Sequence, residues 1–441
     1  MDLILSLLFF IILMITALSL GISMLVPLAA GFGIFTLLSA RRGYSVKDVL
    51  RFARASLKES TVVAAVMLII GALTGSWRQS GTIAYFVTLG VSLIPPRLFL
   101  FACFLLAALM GLALGTSVGV SATAGVILIS IARAGGVNLP LAAGAILSGV
   151  YFGDRSSPAA SSASLVAMLT HTDLRANLRA MMKSTLLPLG LCAAAYLALS
   201  FFFPMERLDT AAVEGMKQEF TLSWVCLIPA ALIIALPFCG VNVKLSMGIS
   251  LLASAVNALT LQGAAPRECL RAMLLGYVPR LPELSGMLSG GGVLSMLELA
   301  GILILSSSYG KIFMGTGILE PVTRRLRELA GRIGRFETMI PLGLVSAALF
   351  CNQTIAAILQ NSLSVELYSE EEKREKMLDM ENSVIPLACV VPWSLACSIP
   401  LGMLDMGWRC IPFTFYLWLL PLHWLFRRRR ERKGLRQSAK T

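Results

Sequence analysis

Long apolar runs, several of them broken at repeated intervals, constrain this chain more than any other feature. A bilayer core about 30 Å thick takes about 20 apolar residues in a helix. Stretches that meet this length are 2–20, 22–40, 60–76, 97–114, 116–134, 184–203, 221–240, 243–262, 291–310, 339–360 and 409–426. Three further stretches, 80–94, 138–170 and 383–405, are apolar but interrupted by Gly, Pro, Ser and charge. Their pieces of about 10–15 residues are too short to cross alone, so they read as re-entrant hairpins or broken helices. Composition agrees: 57% of the 441 residues are hydrophobic and 14% charged, against about 25% charged in soluble domains. The expected fold is an all-α polytopic membrane protein with about 10–12 transmembrane helices, in two repeated halves.

The formal charge of +13 suggests a nucleic-acid surface until it is located. Residues 427–441 contribute +7 and residues 41–58 contribute +5, which leaves +1 for everything else. Both basic segments flank apolar spans, which fits cytoplasmic anchors under the positive-inside rule, or a patch that binds anionic lipid, and no nucleic-acid partner. The C-terminal tail is thus expected in the cytoplasm. Nine cysteines without a CxxC pair and only two histidines leave few ligands for a zinc, haem or iron–sulfur site, and no cofactor is expected. The first run, Leu3 to Leu20, has no preceding Lys or Arg and leads at once into another span, so it reads as a membrane helix rather than a cleaved signal.

A break at membrane depth exposes backbone polar groups, which survive only against protein or a water-filled cavity. The breaks here come in pairs. Gly81-Thr82 matches Gly315-Thr316 at a separation of 234, and the polar triplets starting at Gly115 and Cys351 are 236 apart. The interruptions near 150–164 and 388–400 are about 238 apart. Paired interrupted segments at a nearly constant offset are the pattern of a secondary transporter whose site lies between its repeats. The expected organisation is an N-terminal hairpin and basic loop (1–59), a first transport repeat (60–170), connecting helices (171–290), a second transport repeat (291–405), and a last helix with its basic tail (406–441).

Charges inside lipid cost a few kcal/mol each at the least, so each needs a reason. Asp154 follows an apolar segment and sits among Ser156, Ser157, Ser161 and Ser162. A carboxylate beside hydroxyls holds a hard monovalent cation or a proton, and mutually exclusive occupancy yields exchange; the plainer alternative is an ion pair with Arg155. Glu381-Asn382 opens the interrupted run of the second half, where the pair either binds or caps a helix. Thr116-Ser117 and Asn352 to Thr354 are polar clusters at matched positions, with helix packing as the competing role. Glu298 is a lone acid in an apolar helix and a candidate proton carrier. The Gly-rich stretch at 290–293 lacks the GK[ST] ending of a phosphate loop, and no nucleotide motif marks a primary pump.

The strings IGALTGSW…SGTI, ALGTSVGVSATAGV, LPLAAGAILSGVYFGDRSSP and MENSVIPLACVVPW resemble the NhaC-type sodium/proton antiporters over about residues 60–405. The resemblance implies a transporter of the bacterial inner membrane that exchanges protons for Na⁺ or, in some members, moves organic acids. It places Thr116, Ser117, Asp154, Ser157 and Glu381 at motif positions lining the pathway. Two positions depart from the pattern. Ser161 stands where the family commonly has an acid after the SP, and Asn382 stands where it commonly reads EDSGT.

The expected function is therefore secondary cation/proton antiport through Asp154 and Glu381, with Na⁺ or another monovalent cation and protons as partners in a lipid bilayer. The alternative is a transporter of an organic acid or amino acid on the same scaffold, which the two lost acids favour. A homodimer is a candidate assembly. Missing nucleophile–base and cofactor motifs argue against an enzyme.

Overall fold

The computed structural model describes residues 2–206, 210–316 and 328–438. Within them the chain is helical apart from one isolated antiparallel bridge between Tyr277 and Gly290. Lipid enforces this, because a helix satisfies its backbone donors and acceptors within one segment. Local signals set the starts. Ser45 and Asp48 form a reciprocal capping box ahead of Val46–Gln79. Asn138 caps Leu139–Ser156, and Asp173 caps the 29-residue helix Leu174–Phe202.

Among the described residues, five helices are long and apolar enough to cross a membrane: Ser60–Gln79, Pro96–Leu114, Ser117–Ala134, Leu174–Phe202 and Val293–Phe313. Leu5–Leu20, Leu25–Arg41 and Trp224–Pro237 are shorter apolar helices. Large side chains such as Phe9, Ile12, Leu109, Leu186 and Leu252 stand exposed on helix surfaces, as they do where lipid is the solvent. The chain is a multi-pass membrane protein.

Three sequence expectations are corrected. Residues 339–360 do not form one crossing: Arg335–Phe350 ends at Cys351, and Gln353–Leu363 starts anew. The segment 138–170 is less fragmented than its composition implies, with Leu139–Ser156 an unbroken helix before a turn at 157–160 and the helix Ser161–Leu169. The last span starts as a 3-10 turn, Trp408–Phe413, before Phe415–Ser438; residues 439–441 of the basic tail lie outside the described residues.

The two matched breaks have the same backbone geometry. Gly115 (φ 64°) and Cys351 (φ 55°) both close a helix in the left-handed region. The next residues, Thr116 (φ −146°, ψ 121°) and Asn352 (φ −141°, ψ 121°), are both extended and cap the helix that follows. Only glycine enters the left-handed region freely, so Cys351 holds a costly conformation that its surroundings must enforce; its carbonyl accepts from Leu395 N at 2.7 Å. Beyond the first break, Ser117–Ala134 carries a π-turn at Ser121–Gly125.

Contacts at the two ends of the molecule fix direction. At one end Arg335 pairs with Glu372, and Arg432 of the basic tail reaches Ile333 O. At the other, Met205 N donates to Pro96 O and Glu206 N to Gly135 O. The helix Leu174–Phe202, about 43 Å long at 1.5 Å per residue, joins the two ends by packing on Lys373–Glu381 and on Pro96–Leu98. Phe99–Leu114 therefore runs toward the tail end, and its counterpart Arg335–Phe350 runs away from it. The matched segments are antiparallel.

Their terminal pieces cross over. Ser161–Leu169 packs on Gln353–Leu363, while Leu395–Met403 packs on Ser117–Val120 and its π-turn. Tyr151 of the first half donates its hydroxyl to Ala396 O of the second. Close approach within the first half depends on glycine: a Cβ on Gly153 would stand 2.1 Å from the carbonyl carbon of Gly111, so Phe99–Leu114 and Leu139–Ser156 meet backbone to backbone.

Candidate functional site

Asp154 lies in the last turn of Leu139–Ser156 and is 7% exposed. Its Oδ1 accepts from Ser117 N at 3.0 Å, at the start of the helix that follows the first break. The carboxylate thus occupies a helix N-terminus, where free N–H groups and the helix dipole favour negative charge. Its backbone carbonyl accepts from Ser162 Oγ at 2.9 Å. Three predicted residues, Asp154, Ser117 and Ser162, are in direct contact.

Arg155 does not pair with Asp154. It is 1% exposed and points into the second half, where Nε donates to Glu381 O at 3.0 Å and Nη2 to Asn382 Oδ1 at 3.0 Å. Nη1 donates to Thr185 Oγ1 at 2.6 Å and Nη2 also to Ser184 Oγ at 3.3 Å, both on Leu174–Phe202. Arg155 therefore ties the two halves and the connecting helix together. The sequence marked Glu381 and Asn382 but gave no sign of Ser184 or Thr185, which are single hydroxyls in an apolar helix.

Glu381 is fully buried, with Oε2 3.7 Å from Arg155 Nε. Neither of its carboxylate oxygens has a hydrogen-bond partner. A buried ion pair is expensive unless its remaining lone pairs are satisfied. Asp154, Arg155 and Glu381 carry a formal charge of −1, so one proton or one monovalent cation brings the group to neutrality.

The other predicted residues surround this centre unevenly. Ser157 is buried and turns the chain, accepting from Ala159 N and facing Gly115. Thr116 Oγ1 accepts from Gly119 N, and Asn352 Oδ1 accepts from Thr354 N and Ile355 N; both act as helix caps. Ser161, Ser162 and Thr354 line a cavity of about 420 Å³ together with Ser164, Gln353 and Ile385. The helices Ser161–Leu169 and Gln353–Leu363, one from each half, begin at this cavity. Gln353, whose Nε2 donates to Ile385 O, completes the polar lining. Glu298 is exposed and accepts from Ser23 Oγ; none of the hydrogen bonds of the Asp154–Glu381 centre reaches it.

A family model described as the Na⁺/H⁺ antiporter family matches residues 149–425, which include Asp154, Arg155, Glu381 and the lining of the cavity. Among curated proteins, the chain is 27% identical to the malate-2H⁺/Na⁺-lactate antiporter of Bacillus subtilis, over 88% of this chain and 83% of that protein. It is 26% identical to the arginine/ornithine antiporter ArcD of Halobacterium salinarum, over 86% and 82%. It is 23% identical to the Na⁺/H⁺ antiporter NhaC of Bacillus subtilis, over 86% of each.

Proposed function

Since the chain belongs to the Na⁺/H⁺ antiporter family, we propose that it is a secondary transporter exchanging Na⁺ for protons at a centre formed by Asp154 and Glu381. The observation that carries this reading is the Glu381 carboxylate, fully buried without a hydrogen bond beside Arg155, the chain neighbour of Asp154, at the junction of the halves. A group with one surplus negative charge in a low-dielectric site takes up one positive charge. A proton and a sodium ion satisfy that demand equally and exclude each other, so the two fluxes are coupled without ATP.

Each element of the site has a role in this scheme. Asp154 sits where the first break opens and Glu381 precedes the second interrupted run, so the two carboxylates belong to the two segments whose relative motion would expose the centre to either side. Arg155 keeps the pair from carrying two uncompensated charges. Ser162, which lines the adjacent cavity, links its wall to the backbone carbonyl of Asp154. The positive-inside rule, applied to the basic tail, supports a cytoplasmic position for this end of the molecule at a bacterial inner membrane.

One observation favours a second reading, exchange of a small organic acid or amino acid. The 420 Å³ cavity far exceeds the size of a bare ion, is lined by four hydroxyls, one amide and the apolar Leu165, Met168 and Ile385 with no carboxylate among them, and lies at the starts of two helices. Such an arrangement suits an organic carboxylate. Two of the relatives, the malate/lactate and arginine/ornithine antiporters, carry organic substrates by name.

Proteoliposomes with an entrapped pH dye test the proposal. Imposed Na⁺ or Li⁺ gradients should move protons, and the rate should saturate with cation. If cations move no protons while lactate, malate or amino acids do, the ion-exchange reading is wrong and the second stands.

A further inference from the structure

Arg175, Arg179 and Lys183 follow one another at four-residue steps along Leu174–Phe202, and the same step continues with Leu187 and Leu191. Residues four apart share a helix face. All five are exposed, Leu187 and Leu191 to 56% and 47%. This ridge winds about 40° round the helix at each step, and along it the exposed face changes from basic to hydrocarbon between Lys183 and Leu187, as the polar head and tails of a lipid do.

Beside this face opens a cavity of about 770 Å³. Its cationic side is Arg179, Lys183 and Arg374, the last from Lys373–Glu381. Among the described residues none of the three has an ion pair or hydrogen bond. Leu112, Leu178 and Met182 supply apolar wall. Ser156, 5% exposed, also lines the cavity, and its Oγ is buried without a partner. Three cations without an ion pair, one hydroxyl without a partner and an apolar wall, on a helix whose exposed Leu187 and Leu191 follow Lys183, call for a ligand both anionic and oily. A soluble anion would satisfy the charges but leave the apolar wall wet.

We propose that this cavity binds one anionic phospholipid. Arg179, Lys183 and Arg374 hold its phosphate, Ser156 Oγ donates to its head, and its acyl chains run along Leu112, Met182 and Leu187. The ligand then touches the residue next to Arg155, so occupancy braces the helix end that carries the exchange centre. This inference stands on the cavity and does not depend on which ion or solute is carried.

The test uses the full chain in phosphatidylcholine nanodiscs doped with phosphatidylglycerol, with bound lipid counted by native mass spectrometry. Wild type should retain about one phosphatidylglycerol per chain, and R179Q/K183Q/R374Q should lower its affinity at least about tenfold, given roughly 1 kcal/mol per basic residue at a lipid surface. Arg175→Gln, outside the cavity, should change it less than about twofold. The charge-retaining R179K/K183R/R374K should keep the lipid, and provides the answer if the neutral variant fails to fold. Equal retention by a folded neutral triple variant, loss from the charge-retaining one, or an equal effect of Arg175→Gln would overturn the proposal. Displacement by millimolar inorganic phosphate or succinate would overturn it too, by showing a site for a soluble anion.

Discussion

Arg155 Nε donates to the backbone carbonyl of Glu381 at 3.0 Å while lying 3.7 Å from the same residue's carboxylate. One guanidinium thus fixes the position of Glu381 through its main chain and offsets its charge without occupying its carboxylate oxygens. Those oxygens stay open for a proton or a cation.

Arg155→Leu should destabilise the protein by about 3–5 kcal/mol, because it leaves a buried carboxylate uncompensated. The double variant R155L/E381L should regain most of that loss and still not transport. Unfolding in mixed micelles, paired with flux in proteoliposomes, separates stability from function. A double variant as unstable as the single one would show that the contacts to Ser184, Thr185 and Asn382 outweigh the charge.

Asp154→Asn keeps shape and hydrogen-bonding capacity but removes the carboxylate proposed to alternate between proton and cation. Initial exchange should fall by about 100-fold or more, the scale on which losing a proton-transferring group acts, with membrane insertion and monodispersity unchanged. Wild-type flux from this variant would make Asp154 a helix cap for Ser117 and nothing further.

Gly115 and Cys351 share a backbone conformation but not an environment. A Cβ on Gly115 would lie 2.7 Å from the carbonyl carbon of Ala159, so Gly115→Ala adds a clash to a left-handed strain of about 1–2 kcal/mol. Its melting temperature should drop markedly and transport with it. Cys351→Ala keeps the Cβ the site already accommodates and should cost no more than about 1–2 kcal/mol. Similar losses from both would show that the close approach of Ala159 to Gly115 sets no difference between the two breaks.

Arg428 clamps the basic tail by two bonds of 3.0 Å to Asp379, which is fully buried and also accepts from Tyr368 and Trp424. Arg428→Gln should leave that carboxylate with neutral donors only, at a cost of about 3 kcal/mol. Limited proteolysis should then cut the helix Phe415–Ser438 beyond Trp424 faster than in wild type. Arg428→Lys should rescue little, since an ammonium cannot reproduce the paired geometry. An unchanged cleavage rate in both would show that Arg429–Glu337 and Arg432–Ile333 hold the tail unaided.

The sequence reveals where the chain is broken better than what the breaks bring together. Gly115-Thr116 is legible because glycine and threonine interrupt an apolar run. Cys351 is legible only as the match of Gly115 at an offset of 236; an apolar residue gives no sign of a left-handed φ, and so 339–360 still reads as one span. Arg155 looks like a partner for Asp154 because they are neighbours in the chain, yet successive helical residues point about 100° apart. That turn leaves Asp154 on Ser117 and sends Arg155 to Glu381, 226 residues away. Glu298 reads as buried because its run is apolar; it lies near the start of that helix, where Ser23 reaches it from a surface turn.

The formal charge of the Asp154–Arg155–Glu381 group also bears on energy coupling. A group at −1 that is neutral with either a proton or a sodium ion crosses in the same electrical state both ways. A one-for-one swap then moves no net charge, and the membrane potential does no work on it; the cycle is driven by concentration alone. Each additional proton per turnover would bring about 2.3 kcal/mol per 100 mV into play. In the proposed scheme Asn382, a neutral partner of Arg155, adds no further negative charge for such a proton to neutralise.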